Sequence, residues 1–506
     1  MIAHKLNESY SALDGTPEEL QQVHGFLRVE RPGAYFEPLV KRGFKSPFHF
    51  FASPQNGKLM VLNGHLSLLQ QFGVAPHVLK SDYTERCVDD FLVRIMPTLP
   101  FEPWDFQIRA FRESILGVKQ VNRMCTSSGK SLVIALLAEF FRQHGKRGLL
   151  LVPNINLLTQ FKGDINDYSL DSLHSGTHII GGGSTERHFS APLTISTWQS
   201  LREHRAGLED LDFVITDEAH RFTSDVTSSI VKNTVNCRYK WGFTGTLPDD
   251  PVQRMELLGL FGLPKTYITS RELIERSLAT PIKINAIILR YSKEDRRIFK
   301  EAGKYPQQVS FLKDHPARNR FIVNLTTKLR GAGNTLVLFQ HTLHGKGLFI
   351  DVMKALHPSV KVLNKNITGK KSFEFQQEHG VYFLNGEDNP ETRERTRQIL
   401  EQHSNATLIA NYALLSTGVS IKRLHNMVLA SPLKSFTTIS QSIGRMMRKH
   451  PSKDLAQVFD LVDSTNIRTL GGPFYKQYQH RQAKSYNPED FPITEREFNL
   501  HQGVPR

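Results

Sequence analysis

The stretch LDFVITDEAHRFTS, residues 211–224, decides the reading of this chain. Its apolar start, Phe213 to Ile215, predicts a short buried strand that runs straight into Asp217, Glu218, Ala219 and His220. Two adjacent carboxylates at the end of a buried strand are costly unless a cation or ordered water satisfies them. A nucleotide-hydrolysing site needs such a pair: Asp217 to hold Mg²⁺ through its water shell, Glu218 to orient the attacking water. The plainer reading makes DEAH the start of an exposed helix with Asp217 as its cap. The choice between them rests on what else the chain carries.

Upstream, VNRMCTSSGKS (121–131) ends in Gly129-Lys130-Ser131 and runs into the apolar segment SLVIALLAEFF. A small-residue loop that opens a helix presents backbone N–H groups to phosphates. Lys130 is then expected to reach the β- and γ-phosphates and the Ser131 hydroxyl to bind Mg²⁺. Met124 occupies the place of the first glycine in the full phosphate-loop motif, a departure that bears on loop geometry. A bare SGKS is weak; followed by a DEAH-bearing strand it is strong. Before it, DFQIRAFRESI predicts a helix with Gln107 in its first turn, and an amide can read both donor and acceptor on an adenine edge.

Strand-like runs alternate with helical ones through this region: GLLLVP (148–153), LTIST (193–197), LDFVIT (211–216) and WGFTGT (241–246). That alternation predicts a parallel sheet with helices on both faces, whose ligands bind at the C-terminal strand ends. Thr244-Gly245-Thr246 falls at such an end. A second series follows: TLVLFQ (335–340), GVYFLNG (380–386), ATLIANY (406–412), NMVLAS (426–431) and AQVFDLVD (456–463). It predicts another α/β domain without its own phosphate loop. NKNITGKKSFEFQQEHG (364–380) is polar and reads as a surface insertion. In ISQSIGRMMRKH (439–450), Gln441, Gly444, Arg445 and Arg448 lie at helical spacing, with the two arginines on one face. Guanidinium groups pair bidentately with phosphate; the plainer reading is an exposed basic helix end.

Length and charge set the frame. A chain of 506 residues holds roughly three domains. The net charge is +15, and residues 281–470 carry 29 basic against 15 acidic side chains, while residues 1–95 balance at ten and ten. A surplus concentrated in one segment is the electrostatic footprint of a polyanion partner, most often nucleic acid. Three dispersed cysteines, Cys87, Cys125 and Cys237, make neither a metal-ligand pattern nor a disulfide framework, so a reducing, cytoplasmic setting is expected. No apolar run approaches the roughly 20 residues of a membrane span, and the first residues lack the apolar core of a signal peptide.

Residues 1–95 read as a small α+β domain, with an amphipathic helix after Gly64. Its cluster Lys41, Arg42 and Lys45, beside Phe44, Phe48, Phe50 and Phe51, suits a nucleic-acid backbone with aromatic support. A core rim with solvated lysines is the rival reading. RIMPTLPFEPWD, with three prolines, reads as a linker into the next domain.

Taken in order, DFQ, SSGKS, LLLVPN, ISTWQSL, DEAH, TGT, LFQHT, STGVSI and QSIGRMMRKH resemble the DEAH-type helicases of superfamily two, over about residues 100 to 465. NYALLSTGVSIKRLHNMVLASPLKS, QSIGRMMRKH and VFDLVDST look most similar to the phage branch-migration helicases of the UvsW type. The resemblance implies an α/β fold of two RecA-like parallel-sheet motor domains behind a small α+β domain, with ATP in the cleft between the motors. Expected domains are 1–95, recognising branched DNA; 96–280, with phosphate loop and DEAH; 281–470, basic, with arginine fingers; and a C-terminal tail, 471–506. By motif, Gln107, Ser128, Gly129, Lys130, Ser131, Gly418 and Gln441 would hold ATP, and Ser131 with Asp217 the Mg²⁺. Glu218, Asp217 and Lys130 would be catalytic, with Arg445 and Arg448 stabilising charge on the transferring phosphate. His220 and Thr244 to Thr246 would couple hydrolysis to closure. Thr197, Thr342 and Thr417 would meet the nucleic-acid backbone, alongside Lys41, Arg42 and Lys45. Ser420 replaces a common aspartate, which bears on a ribose contact. The activity implied is ATP-dependent remodelling of branched DNA (forks, displacement loops, four-way junctions) in recombination, repair or replication. The expected enzyme is monomeric, in the host cytoplasm if phage-encoded, with single-strand-binding or recombination proteins as protein partners. An RNA helicase or the motor of a restriction-type complex uses the same motifs.

Overall fold

The computed structural model describes residues 1–74, 80–184, 186–202, 205–362, 367, 372–433 except 417–420, 435–466 and 470–502. The chain divides into two compact units, Met1–Thr269 and Ser270–Arg506.

In the first unit seven parallel strands lie in the order Pro264–Ile268, Lys119–Met124, Tyr239–Thr244, Phe213–Asp217, Gly148–Val152, Leu193–Thr197, Thr177–Ile180. A parallel sheet covered on both faces needs strands that are apolar throughout, and GLLLV and FVIT are fully buried. The strand before the phosphate loop breaks that rule. Lys119, Gln120 and Asn122 are buried polar residues, each satisfied inside. Gln120 donates to Asn122 Oδ1 at 2.6 Å, Asn122 to Ser114 Oγ at 3.0 Å, and Lys119 to the Arg238 carbonyl at 3.3 Å.

Ahead of this sheet, four antiparallel strands run in the order Ile2–Lys5, Tyr10–Asp14, Lys58–Leu62, Ala52–Gln55. The helix Pro17–Phe26 is held at its start by a reciprocal Thr16/Glu19 capping box. The segment after Gly64 is helical as expected, in 3₁₀ turns over Asn63–Phe72. This small sheet is bound into the motor sheet's unit. Lys240 Nζ, buried among apolar neighbours and pushed down to about 8 by that burial, donates to Ser9 Oγ and to the Val231 carbonyl at 3.1 Å. His65 Nε2 meets the Met255 carbonyl at 2.9 Å, and a Cβ on Gly64 would lie 2.2 Å from the Leu258 carbonyl oxygen. Helix Glu85–Ile95, ahead of the prolines read as a linker, also packs on the motor: Phe91 stacks on Phe111 and meets Phe140 edge-on.

The second unit carries seven parallel strands in the order Val381–Leu384, Thr407–Asn411, Thr335–Phe339, Asn426–Leu429, Ala456–Ser464, Ile282–Arg290, Ile493–Asn499. The two motor sheets and the small N-terminal sheet are the architecture expected from sequence. The described residues 471–502 of the expected tail correct one expectation, because they fold into the second unit. Ile493–Asn499 is an edge strand paired along Ile282–Arg290, and helix Pro473–Arg481 delivers Arg481 into the core. ITEREFN hides its strand because an edge keeps one face wet: Glu497 there pairs with Arg290 at 2.7 Å. Arg481 forks onto Asp460 at 2.8 and 3.0 Å, and the Tyr486 hydroxyl donates to the same carboxylate at 2.7 Å. Part of 364–380 lies outside the described residues. Within the stretch read as a surface insertion, Ser372–His379 is a helix whose buried Gln376 accepts from Phe383 N–H at 2.9 Å and donates to the Ile367 carbonyl. No helix among the described residues is long and apolar enough to cross a membrane.

Removing one partner of a buried ion pair strands the other charge, at about 3–5 kcal/mol. Arg481→Ala is expected to destabilise the second unit by that amount in denaturant unfolding, with Asp460→Leu/Arg481→Met recovering most of it. A midpoint for Arg481→Ala equal to wild type would return residues 471–506 to a dispensable tail.

Candidate active site

Parallel strands end on one edge, so the order of three neighbours builds the site. Lys119–Met124 and Phe213–Asp217 flank Tyr239–Thr244, with Asp217 in register with Phe243 and Thr244 with Arg123. The loops after Met124, Asp217 and Thr244 therefore emerge side by side.

After the buried Met124 the chain turns through Ser127 (φ +69°) and Gly129 (φ +74°) into helix Lys130–Gln143. These two left-handed residues set the loop's shape, and the departure at position 124 falls on the strand end ahead of them. Ser128 is buried and its hydroxyl donates to the Cys125 carbonyl at 2.7 Å. Lys130 Nζ reaches the Met124 and Cys125 carbonyls at 3.3 Å each, contacts long enough for a phosphate oxygen to displace. Ser131 follows, half-buried, at the helix start. Gln107 braces the loop from behind. Its amide donates to the Ser128 carbonyl at 2.9 Å and accepts from Trp104 N–H at 2.8 Å. Each end of the amide thus takes one backbone partner, using one of its two N–H donors and one of the two oxygen lone pairs. Gly129 is fixed twice over, since a Cβ there would also lie 2.3 Å from Gln107 Nε2.

Asp217 closes its strand and Glu218 turns the chain in left-handed conformation (φ +50°), its N–H donating to Asp217 Oδ1 at 3.0 Å. Burial, reinforced by the neighbouring Glu218 charge and opposed by Lys130, pushes the Asp217 carboxyl up to about 7. A half-buried carboxylate so disfavoured is a place where a divalent cation is gained at low cost, so Ser131 and Asp217 fit Mg²⁺. His220 Nδ1 lies 2.9 Å from Thr244 Oγ1 and 3.5 Å from Glu218 Oε2. The Thr244 hydroxyl donates to the Thr246 carbonyl at 2.6 Å, so its oxygen accepts from His220 Nδ1–H. Burial lowers the His220 pKa, opposed by the nearby Glu218 carboxylate. A Cβ on Gly245 would stand 3.5 Å from the Met124 carbonyl oxygen, which lays the Thr244–Thr246 turn against the phosphate loop.

The other expected residues lie elsewhere. Gln441 and Arg445 sit on helix Phe436–Met446 of the second unit and Arg448 just beyond it, all half-buried. The Thr280 hydroxyl donates to the Arg448 carbonyl at 3.3 Å, and Ser440 Oγ to Ser485 Oγ at 2.8 Å, so the segment read as a tail supports this helix. Thr417 and Gly418 lie outside the described residues. Thr342 opens helix Thr342–Leu356 and is half-buried. Thr197 is buried, and its hydroxyl caps helix Trp198–Leu201 by accepting from Ser200 N–H at 3.3 Å. Lys41 and Arg42 are exposed, while Lys45 pairs with Glu37 at 3.1 Å. Of the nearby phenylalanines Phe51 is buried and Phe44 exposed, along with Phe36, which its sequence context did not single out.

The family model for the type III restriction enzyme res subunit matches residues 102–249, the span from Gln107 to Thr246. The crystal structure of T4 UvsW aligns over 99% of both chains at 26% identity and a TM-score of 0.47. A fragment of a putative HsdR subunit of a type I restriction enzyme from Vibrio vulnificus shares the fold over 82% of this chain and 72% of its own, at 16% identity and a TM-score of 0.55. In sequence, the ATP-dependent DNA helicase uvsW of enterobacteria phage T4 is 33% identical over 386 residues, 75% of this chain and 72% of the relative. With its phosphate loop, DEAH strand and second parallel sheet, the chain belongs to the UvsW-type helicases of superfamily two.

Proposed function

We propose that this protein is an ATP-driven DNA translocase that remodels branched DNA, acting on forks, displacement loops and four-way junctions. The observation that carries the reading is the convergence of Lys130, Asp217, Glu218 and Thr244 at three neighbouring strand ends. The T4 relative is named for DNA, which favours DNA over RNA as the track.

The first N–H groups of helix Lys130–Gln143 and the Lys130 ammonium bind the phosphates of ATP. Ser131 and Asp217 would hold Mg²⁺, which would supply positive charge to offset that of the nucleotide phosphates. Glu218 orients a water in line with the γ-phosphorus and takes its proton as the bond to the β–γ bridging oxygen breaks. Gln107 keeps the loop in shape by holding the Ser128 carbonyl. Arg445 and Arg448 bring positive charge to the transferring phosphate, an effect worth about 10³–10⁵ in rate. His220 and Thr244 report the state of the phosphate site: loss of the γ-phosphate shifts Glu218, and the hydrogen bond passes that shift to the Thr244–Thr246 turn. The basic surplus of residues 281–470 holds the backbone without reading sequence. Lys41, Arg42 and Lys45 meet DNA at the branch.

Lys130→Ala and Glu218→Gln are each expected to abolish DNA-stimulated ATP turnover while circular dichroism stays native. Turnover above about a tenth of wild type in either would remove that residue from its role. Arg448→Ala is expected to cut turnover by about 10³ with DNA affinity changed only a few-fold; collapse of DNA binding with hydrolysis intact would place this arginine on the DNA track. Thr244→Val keeps the volume but ends the link to His220. Its expected phenotype is ATP hydrolysis within about threefold of wild type with strand displacement down more than about tenfold, and equal loss of both would mean that the link serves chemistry alone.

A further inference from the structure

Residues 31–47 form an excursion between the paired strands Arg28–Glu30 and Phe48–Phe50, closed at its base by Arg31 N–H donating to the Pro47 carbonyl at 2.8 Å. Phe36 is 81% exposed and Phe44 80%, with Tyr35 and Leu39 just over half exposed. Scattered exposed apolar side chains are ordinary; four within ten residues mark an interaction surface. The excursion is also braced. The Arg31 guanidinium holds Glu37 at 2.9 Å and the Ser46 carbonyl at 2.6 Å, and Lys45 reaches the same carboxylate at 3.1 Å. Glu37 is thereby neutralised from both sides, and Lys41 and Arg42 remain exposed.

Charge says what such a surface takes. Residues 28–50 carry five basic and two acidic side chains, inside a segment 1–95 that balances at ten and ten. Open aromatic faces among cations suit a single-stranded nucleic acid, whose bases stack on rings while its phosphates meet ammonium and guanidinium groups. The neighbouring aromatics are otherwise engaged. Phe48 lies 4.3 Å under the Arg28 guanidinium, Phe50 stacks on His24 at 4.8 Å, and Phe51 belongs to the core. An apolar docking face for a protein would gain nothing from a local cationic surplus.

We propose that Phe36 and Phe44 form a stacking platform for unpaired bases at a DNA branch point, with Lys41 and Arg42 on the adjoining phosphates. The proposal rests on the DNA-remodelling reading and adds to it a contact specific for single strands outside the ATP site. The platform belongs to the same compact unit as the phosphate loop, so it offers that unit a fixed point beside the junction.

The test uses the full chain, forked DNA with 2-aminopurine at the first unpaired positions, and blunt duplex of equal length. Phe36→Ala/Phe44→Ala is expected to weaken fork binding about tenfold or more and to lose the 2-aminopurine change, with blunt-duplex affinity within about twofold of wild type. Phe36→Leu/Phe44→Leu, apolar but without a π-face, is expected to fail likewise, and Phe36→Tyr/Phe44→Tyr to bind forks as wild type does. Wild-type fork affinity in the alanine variant overturns the proposal, as does rescue by leucine. A wild-type dimer that the alanine pair converts to monomer with fork affinity unchanged also overturns it, in favour of self-association. If neither forked nor duplex DNA stimulates ATP hydrolysis by wild type, the motor reading falls, while the binding and fluorescence comparison still decides the platform.

Discussion

The register of parallel pairing across strands 119–124, 239–244 and 213–217 is the constraint on which the rest depends. Parallel strands release their loops on one side, so fixing the order of these three fixes which chemistry meets. A slip of one residue would turn Asp217 to the opposite face and carry the DEAH turn away from the phosphate loop. What holds the register is ordinary: the fully buried strand Gly148–Val152 on one side, and on the other a Gln120–Asn122–Ser114 network that ties strand Lys119–Met124 to helix Asp105–Gly117. The same constraint explains why the site is costly. It gathers Asp217 and Glu218 at a buried edge, raising the Asp217 carboxyl to about 7, and bends Glu218 into a left-handed turn. Such cost persists where chemistry uses it.

Most of this was legible because parallel strands advertise themselves. GLLLV, LTIST, TLVLF and TLIAN are short runs rich in aliphatic and β-branched residues, and each forms the strand expected of it. Legibility failed where polar residues satisfy one another out of sight along the chain. KQVNRM is mostly polar, yet Lys119, Gln120 and Asn122 are buried and paired inside the unit. ITEREFN reads as tail because an edge strand keeps charges on its wet face. The buried pair between Arg481 and Asp460 is 21 residues apart in sequence and carries no local signal. At the site, SSGKS and DEAH gave the chemistry by residue type, but the brace from Gln107 to the Ser128 carbonyl was beyond reach of any motif. Phe36 and Phe51 differ in nothing the sequence displays; only the fold exposes one and buries the other.

The N-terminal sheet illustrates the same lesson at larger scale. A neutral composition and a proline-rich stretch suggest a separate module, but the sheet is fastened to the motor by a buried lysine and by glycines that allow backbone to touch backbone. The basic, aromatic excursion, carried by the separate strand pair Arg28–Glu30 and Phe48–Phe50, belongs to the same unit as the phosphate-loop sequence, and the second unit brings the larger charge surplus. On the proposed reading, the polyanion's backbone falls mainly to the second unit and its irregular features to the first.

The account's central claim is that the phosphate site drives work on branched DNA. It is tested most directly by following ATP hydrolysis and conversion of a mobile four-way junction in one reaction, against single-stranded, plain duplex and forked DNA at equal nucleotide concentration. The account predicts greatest stimulation by branched substrates, with junction conversion that stops when a non-hydrolysable analogue replaces ATP. Equal stimulation by every DNA, with the junction left unconverted while ATP is consumed, would contradict it.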